Sequence, residues 1–228
     1  MFRFPRTTPP SRLIRRSVWL VPGWCFAIQN RRHQGPLERT GPLRLPFVHG
    51  ISAVKLLSVQ CQATHWAVAF VEVVAMAESK ISTVVGKTGL GSDAVLSELR
   101  AGLLALGYAV ESGKTRAATI RRPVLFGENG KEEVNYEIDA FHDELGIAVE
   151  VEAGRGAANN ADYRDIVRTS LILDARSMAL LMPVRYRFKS GQREYATPAY
   201  DRTRNQLDAI YASRRLMLPF DGVLLIGY

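Results

Sequence analysis

The sequence predicts a mixed α/β domain built on a mixed sheet, and three observations carry that prediction. Apolar residues recur at helical spacing in three separated stretches. Short β-rich runs bounded by Gly, Asn and Asp lie between the first two of them. Two strongly apolar runs, residues 178–186 and 221–228, have the character of buried strands.

Taken in order, Gly89, Gly91 and Ser92 lead into a helix over residues 93–108, where Val95, Leu99, Leu103 and Leu106 form one stripe and Gly107 closes the run. Residues 114–125 form β-rich runs. The turn Gly127-Glu128-Asn129-Gly130 joins them to a hairpin of residues 134–141 and 147–152, which makes a three-strand meander. A loop over 154–160 precedes a second helix, 161–177, with Ile166, Leu171 and Leu173 among Arg164, Arg168 and Arg176. Residues 178–186 form a strand despite Pro183, 198–215 a third helix, and 221–228 a last strand. The order is αβββαβ followed by an additional helix and strand.

Charge divides the chain. Up to residue 75 there are ten Lys or Arg against Glu38 and Glu72, whereas residues 76–228 hold twenty of each sign, so the net charge of +8 belongs to the first third. A basic balance ordinarily points to nucleic acid or a membrane surface, but here it says nothing about the neutral remainder. Residues 1–50 are rich in Arg, Pro, Thr and Gly and show no sustained period, which is the composition of a poorly structured segment. The apolar stretch 17–28 is broken by Pro22 and Gly23 and lacks a small-residue cleavage site, which argues against a leader. Residues 63–76 are apolar but short for a membrane span and contain Glu72, so no stable membrane association is expected. Met76-Ala77-Glu78-Ser79 reads as a start, and the expected division is therefore a basic segment, 1–75, and a domain, 76–228. Two accounts of the first segment stay open: an over-extended reading frame, or a basic arm that touches phosphates.

Both cysteines, Cys25 and Cys61, precede residue 75, and of four histidines only His142 follows it. The domain therefore has no His/Cys zinc site, no thiolate chemistry and few routes to a Ser-His arrangement. A reducing cytoplasm fits this usage. Carboxylates are the chemistry that remains.

They are concentrated in the hairpin. A register that sets Asp143 against Gly146 also sets Asp139 against Glu150 and Glu137 against Glu152, which places four acids on one face while Val134, Tyr136, Ile138, Val149 and Val151 occupy the other. Like charges opposite one another in an antiparallel pair are destabilising. A fold that keeps them recovers the cost with a cation, a shared proton or nearby arginines. Phosphodiester hydrolysis calls for such a set, because carboxylate oxygens hold a hard divalent ion that polarises the phosphate and activates water. A solvated face of an exposed hairpin is the plain alternative.

An acid on one strand followed by Glu-x-Glu on the next, between two helices, resembles the PD-(D/E)xK nuclease family over roughly residues 90–187. Asp139 matches the motif's Asp, Glu150 its second acid, and Glu152 the position usually held by Lys; Ile138 stands where the motif has Pro. The resemblance implies a restriction-endonuclease-like core and metal-dependent hydrolysis of DNA. Asp139, Glu150 and Glu152 would be catalytic, and Asp139 and Glu150 would bind Mg2+, with Mn2+ as a substitute and Glu137 as an outer participant. Asn159 and Tyr163 are similar in spacing to a Gln-x-x-x-Tyr element of some family members. With Arg155, Arg164 and Arg168 they are the expected contacts to nucleic acid. The partner is nucleic acid, DNA before RNA, and a homodimer is compatible with cutting both strands. The second reading is a non-catalytic nucleic-acid or protein-binding module on the same fold; a small-molecule metallohydrolase is a third.

Three further features have plainer readings. Glu98 on the first helix could be an additional acid or an exposed helix residue. Gly86-Lys87-Thr88-Gly89-Leu90-Gly91 lacks the first glycine of a phosphate loop, since Ile81 stands there, and reads as a lead-in to the helix. Arg185, Arg187, Lys189 and Arg193 interleave with Tyr186, Phe188 and Tyr195, which suits either a nucleic-acid surface or a polar loop.

Overall fold

The computed structural model describes residues 25–28, 53–58, 65–84, 89–153 and 160–228. A seven-stranded mixed sheet forms the centre. Its strands are β1 (Cys25–Ile28), β2 (Ala53–Ser58), β3 (Ala109–Val110), β6 (Ala140–His142), β7 (Ile147–Val151), β8 (Ser177–Met182) and β11 (Gly222–Gly227), in the spatial order β1-β2-β11-β8-β7-β6-β3. Strands β7, β8 and β11 run parallel to one another, and the outer pairings are antiparallel. Every residue of β8 and β11 is buried, as expected of parallel strands covered on both faces.

Two helices pack on each side. On one face α1 (His65–Ile81) contributes Phe70, Val71 and Val74, and α2 (Ser92–Ala105) contributes Val95, Leu99 and Leu103, all against Ile147, Val149 and Val151 of β7 and their neighbours. The two helices approach closely at Gly102, where a Cβ would stand 2.6 Å from a methyl of Val73. On the other face α3 (Ala161–Ser170) supplies Ile166, and α4 (Ala199–Ser213) supplies Tyr200 and Leu207, over Ala148, Leu180 and Leu225.

Helix α1 crosses the expected division at residue 76, and most of its buried stripe precedes Met76. Strand β2 lies earlier still and pairs with β11 along six positions. Residues 85–88, which hold part of the glycine-rich lead-in, lie outside the described residues. Among the described residues no helix is long and apolar enough to cross a membrane.

The expected meander is divided. Strands β4 (Ile120–Phe126) and β5 (Glu132–Ile138) form a two-stranded ribbon of their own, and the chain bends at Asp139 before β6 joins the central sheet. The ribbon's outer apolar residues are poorly covered, with Leu125 and Phe126 about half exposed, while Ile138, Ile120 and Val124 pack its inner side on the α3–α4 core. Arg122 fastens it: the guanidinium lies 3.8 Å over the Phe141 ring and pairs with Asp143 and Asp174. Past the bend the register is the expected one, with Ala140 opposite Val149 and His142 opposite Ile147. The turn depends on Gly146, at φ +62, where a Cβ would stand 2.5 Å from the carbonyl oxygen of Asp174.

Two further boundaries differ from expectation. The second helix stops at Ser170 rather than continuing to residue 177, so Leu171 and Leu173 are exposed while Ile172 and Ala175 turn inward. Strand β8 stops at Met182, before Pro183, and the chain enters a separate hairpin of β9 (Tyr186–Ser190) and β10 (Arg193–Thr197).

Candidate active site

Parity along β7 separates structure from chemistry. Ile147, Val149 and Val151 point to the α1–α2 side, so Ala148 and Glu150 point to the α3–α4 side. Glu150 therefore stands near the C-terminal end of a parallel strand, and Glu152 follows just beyond it, 8% exposed. The Glu152 backbone is pinned on both sides: its N–H donates to the Leu181 carbonyl at 2.9 Å, and its carbonyl accepts the Tyr228 hydroxyl at 2.8 Å. Asp139 arrives from the bend. Its Oδ2 accepts the Val151 N–H at 2.7 Å, which bridges the two strands where the ladder ends.

The fourth acid of the cluster is not the expected one. Glu137 goes with the ribbon, where it is paired with Arg121 at 2.7 Å and half exposed, and its register partner is Arg121 rather than Glu152. The expected face of four hairpin acids is thus interrupted by the change of sheet at Asp139. Asp165 of α3 takes the place, buried beside Glu152 and held by the Arg164 Nε at 3.0 Å. Glu111, also buried, donates its backbone N–H to the Asp139 carbonyl at 2.8 Å, and its carboxylate pairs with Lys114 at 2.8 Å.

Mutual repulsion is visible in the electrostatics. Burial, aided by the charges of Glu111 and Asp165, pushes Asp139 up to about 6, against the opposing hydrogen bond from Val151. Burial and then Asp139 and Asp165 hold Glu150 well above the usual carboxylate range, with Arg168 as the opposing cation. Burial, followed by a hydrogen bond with Asp165, raises Glu152 in the same direction, and Arg164 opposes it. Burial first, and mutual repulsion second, therefore oppose ionisation of Asp139, Glu150 and Glu152.

Helix α3 supplies the counter-charges. Arg164 reaches Glu152 at 3.5 Å and Asp165 at 3.0 Å, while Arg168 lies 4.9 Å over the Tyr136 ring and reaches the Glu137 carbonyl at 3.5 Å. Tyr163 is exposed on the same helix. Asp162 pairs with neither arginine and accepts the Thr203 hydroxyl at 2.7 Å. Glu98 is remote from this group in its contacts, pairing with Lys80 at 2.6 Å on the opposite layer. Arg155 and Asn159 lie outside the described residues.

The residues fit a divalent cation in donor chemistry, since the group is made of hard oxygen donors carrying unneutralised charge. Among the described residues, however, no three His, Cys, Asp or Glu side chains stand in the geometry of a metal-ligand group. Sequence reasoning missed Asp165 and Glu111. A helical projection of residues 161–170 would have exposed the first, because Asp162, Asp165 and Thr169 share the buried stripe with Ala161 and Ile166.

A mixed sheet between helix pairs, with carboxylates at the end of its parallel strands, is compatible with a restriction-endonuclease-like protein. Residues 62–228 match the family described as "Putative halobacteria restriction endonuclease". The chain belongs to that family. No curated protein matches it.

Proposed function

We propose that this protein is a metal-dependent nuclease that hydrolyses phosphodiester bonds in DNA, with Asp139, Glu150 and Glu152 as its reactive carboxylates. The observation that carries this reading is the crowding of those acids with Asp165 at one end of the parallel strands, in a chain of a restriction endonuclease family. A nucleic-acid substrate follows from the family's description.

Asp139 and Glu150 would hold a Mg2+ or Mn2+ ion. When bound, such an ion polarises the scissile phosphate and makes water a competent nucleophile near neutral pH. Glu152 stands where the PD-(D/E)xK pattern has Lys, and with a cation bound beside it to offset the raised proton affinity, its carboxylate would orient the attacking water and accept its proton. Asp165 holds Glu152 in place through their shared hydrogen bond. Arg164 and Arg168, on the adjoining helix, would meet the negative phosphate, with Tyr163, Arg155 and Asn159 as further contacts. Glu137, occupied by Arg121, is left out of this set.

The non-catalytic alternative draws on one specific observation: the acids as they stand do not gather three around a point among the described residues. Cation binding separates the two readings. Titration of the full chain with Mg2+ or Mn2+ by calorimetry should show binding that Asp139→Asn and Glu150→Gln each weaken, and plasmid DNA should be cut only with the metal present. Absence of both would leave the binding module as the better account.

A further inference from the structure

The hairpin β9–β10 stands outside the central sheet, and its aromatic residues are arranged as a ladder. Tyr186 and Phe188 stack with centroids 5.5 Å apart at 18°, and Phe188 and Tyr195 at 5.5 Å and 19°. Tyr186 packs on the α3–α4 core, whereas Tyr195 is 44% exposed, so the ladder runs from the core into solvent. The register sets Tyr195 opposite Phe188 and Arg193 opposite Ser190, which puts Phe188, Tyr195 and Arg193 on one face. Cross-strand stacking steadies a two-stranded hairpin, which is marginal alone. Stability does not, however, account for the charges. Arg185, Arg187, Lys189 and Arg193 are accompanied by a single acid, Glu194, and among the described residues none of the four forms an ion pair.

Position adds to composition. Strands β7 and β8 are parallel neighbours with Glu150 opposite Leu180 and Val151 opposite Leu181, so Glu152 and Met182 end the two strands side by side. The hairpin leaves β8 from that end. A half-exposed aromatic stack with Arg193 on its own face and Arg187 and Lys189 on the reverse face of the same hairpin is the chemistry that holds unpaired bases and their phosphates without reading sequence.

We infer that the β9–β10 hairpin binds single-stranded nucleic acid, with Tyr195, the outer ring of the ladder, as the stacking surface for unpaired bases, Arg193 on the same face as a phosphate contact, and Arg187 and Lys189 on the reverse face adding attraction for the strand. The inference rests on the nuclease reading for its purpose, but the binding is measurable without cleavage. The test uses the full chain carrying Asp139→Asn, in EDTA, titrated against labelled oligo(dT) and an abasic oligomer of the same length, with fluorescence anisotropy as readout. The protein should bind oligo(dT) roughly tenfold or more tightly than the abasic strand, within the range expected for one or two stacked bases. Tyr195→Leu, which keeps an apolar contact on Phe188, should abolish that preference, and Tyr195→Phe should retain it. Arg187→Ala with Lys189→Ala should weaken both strands alike and lower the salt dependence. Equal affinity for the two strands, or a preference that survives Tyr195→Leu, would overturn the inference. A preference without metal-dependent cutting by the unsubstituted chain would defeat the nuclease reading alone, and cutting without a preference would defeat this inference alone.

Discussion

Strand β7 has two faces, and they are covered by helices of opposite character. Towards α1 and α2 it presents Ile147, Val149 and Val151, and α2 answers with Val95, Leu96, Leu99 and Leu103, so that side closes as an apolar core. Towards α3 it presents Ala148 and Glu150, and α3 buries Asp162, Asp165 and Thr169 beside Ala161 and Ile166. Alternation along a single strand thus gives one layer apolar side chains alone and adds acids to the apolar core of the other. The acidic side can hold groups that cost folding free energy because apolar packing on both faces holds the sheet.

The contrast can be broken most severely at the acidic face. Asp139→Asn should reduce metal-dependent cleavage of plasmid DNA by about 100-fold or more, because polarisation by a bound metal is worth several kcal/mol of barrier, while the far-ultraviolet circular dichroism stays that of the parent. Phe70→Ala should do the reverse on the apolar face. The side chain is fully buried, and its loss should cost about 3–5 kcal/mol, read by denaturant unfolding, with cleavage unimpaired at temperatures where the variant is folded.

Hydrogen ions offer a finer separation. Asp139 is raised from 3.8 to about 6 in the folded protein, so the folded state binds a proton more tightly than the unfolded chain does. Its contribution to stability is complete below pH 3.8 and is lost as pH climbs through about 6. Glu150 and Glu152 shift in the same direction. Melting of the metal-free chain should therefore fall by several degrees between pH 5 and pH 8, and Asp139→Asn should flatten the fall. Added Mg2+ should raise the melting temperature at pH 8 more than at pH 5. A metal-free melting temperature that rises over this interval would contradict the buried-acid account.

The smallest effect belongs to the acid that the fold diverts. Glu137→Gln removes only a half-exposed pair with Arg121, so it should change stability by less than about 1 kcal/mol and leave cleavage near that of the parent. A large loss of cleavage would return Glu137 to the site.

Legibility followed locality. The hairpin register over residues 140–149 could be read from alternation and one glycine turn, since both are properties of neighbouring residues. The division of the meander could not, because it depends on β3 pairing with β6 and on Arg122 lying over Phe141, contacts between distant segments. Helix α1 was obscured for another reason. Its mostly apolar sequence has a weak stripe, so residues 63–76 read as an apolar run too short for a membrane span and not as a core helix. Asp165 escaped because a charged residue on a helix is ordinarily solvated, and Arg164 beside it offered a surface pair as explanation. Glu150 and Glu152 were easier to find, since acids in an apolar strand interrupt a pattern.

Tyr228 ties these parts to a common origin. Its hydroxyl donates to the Glu152 carbonyl, its N–H to the Met182 carbonyl, and its own carbonyl accepts Val184 N–H and the Thr83 hydroxyl, while Thr83 Oγ1 accepts the Arg185 N–H at the foot of the hairpin. The clustered carboxylates and the aromatic ladder are therefore measured from one fixed benchmark rather than joined by slack chain. For a nuclease with bases seated on Tyr195, the cut would fall a set number of nucleotides from the seated base, a spacing readable from cleavage products of end-labelled strands. Tyr228 is in this sense the zero mark of a ruler.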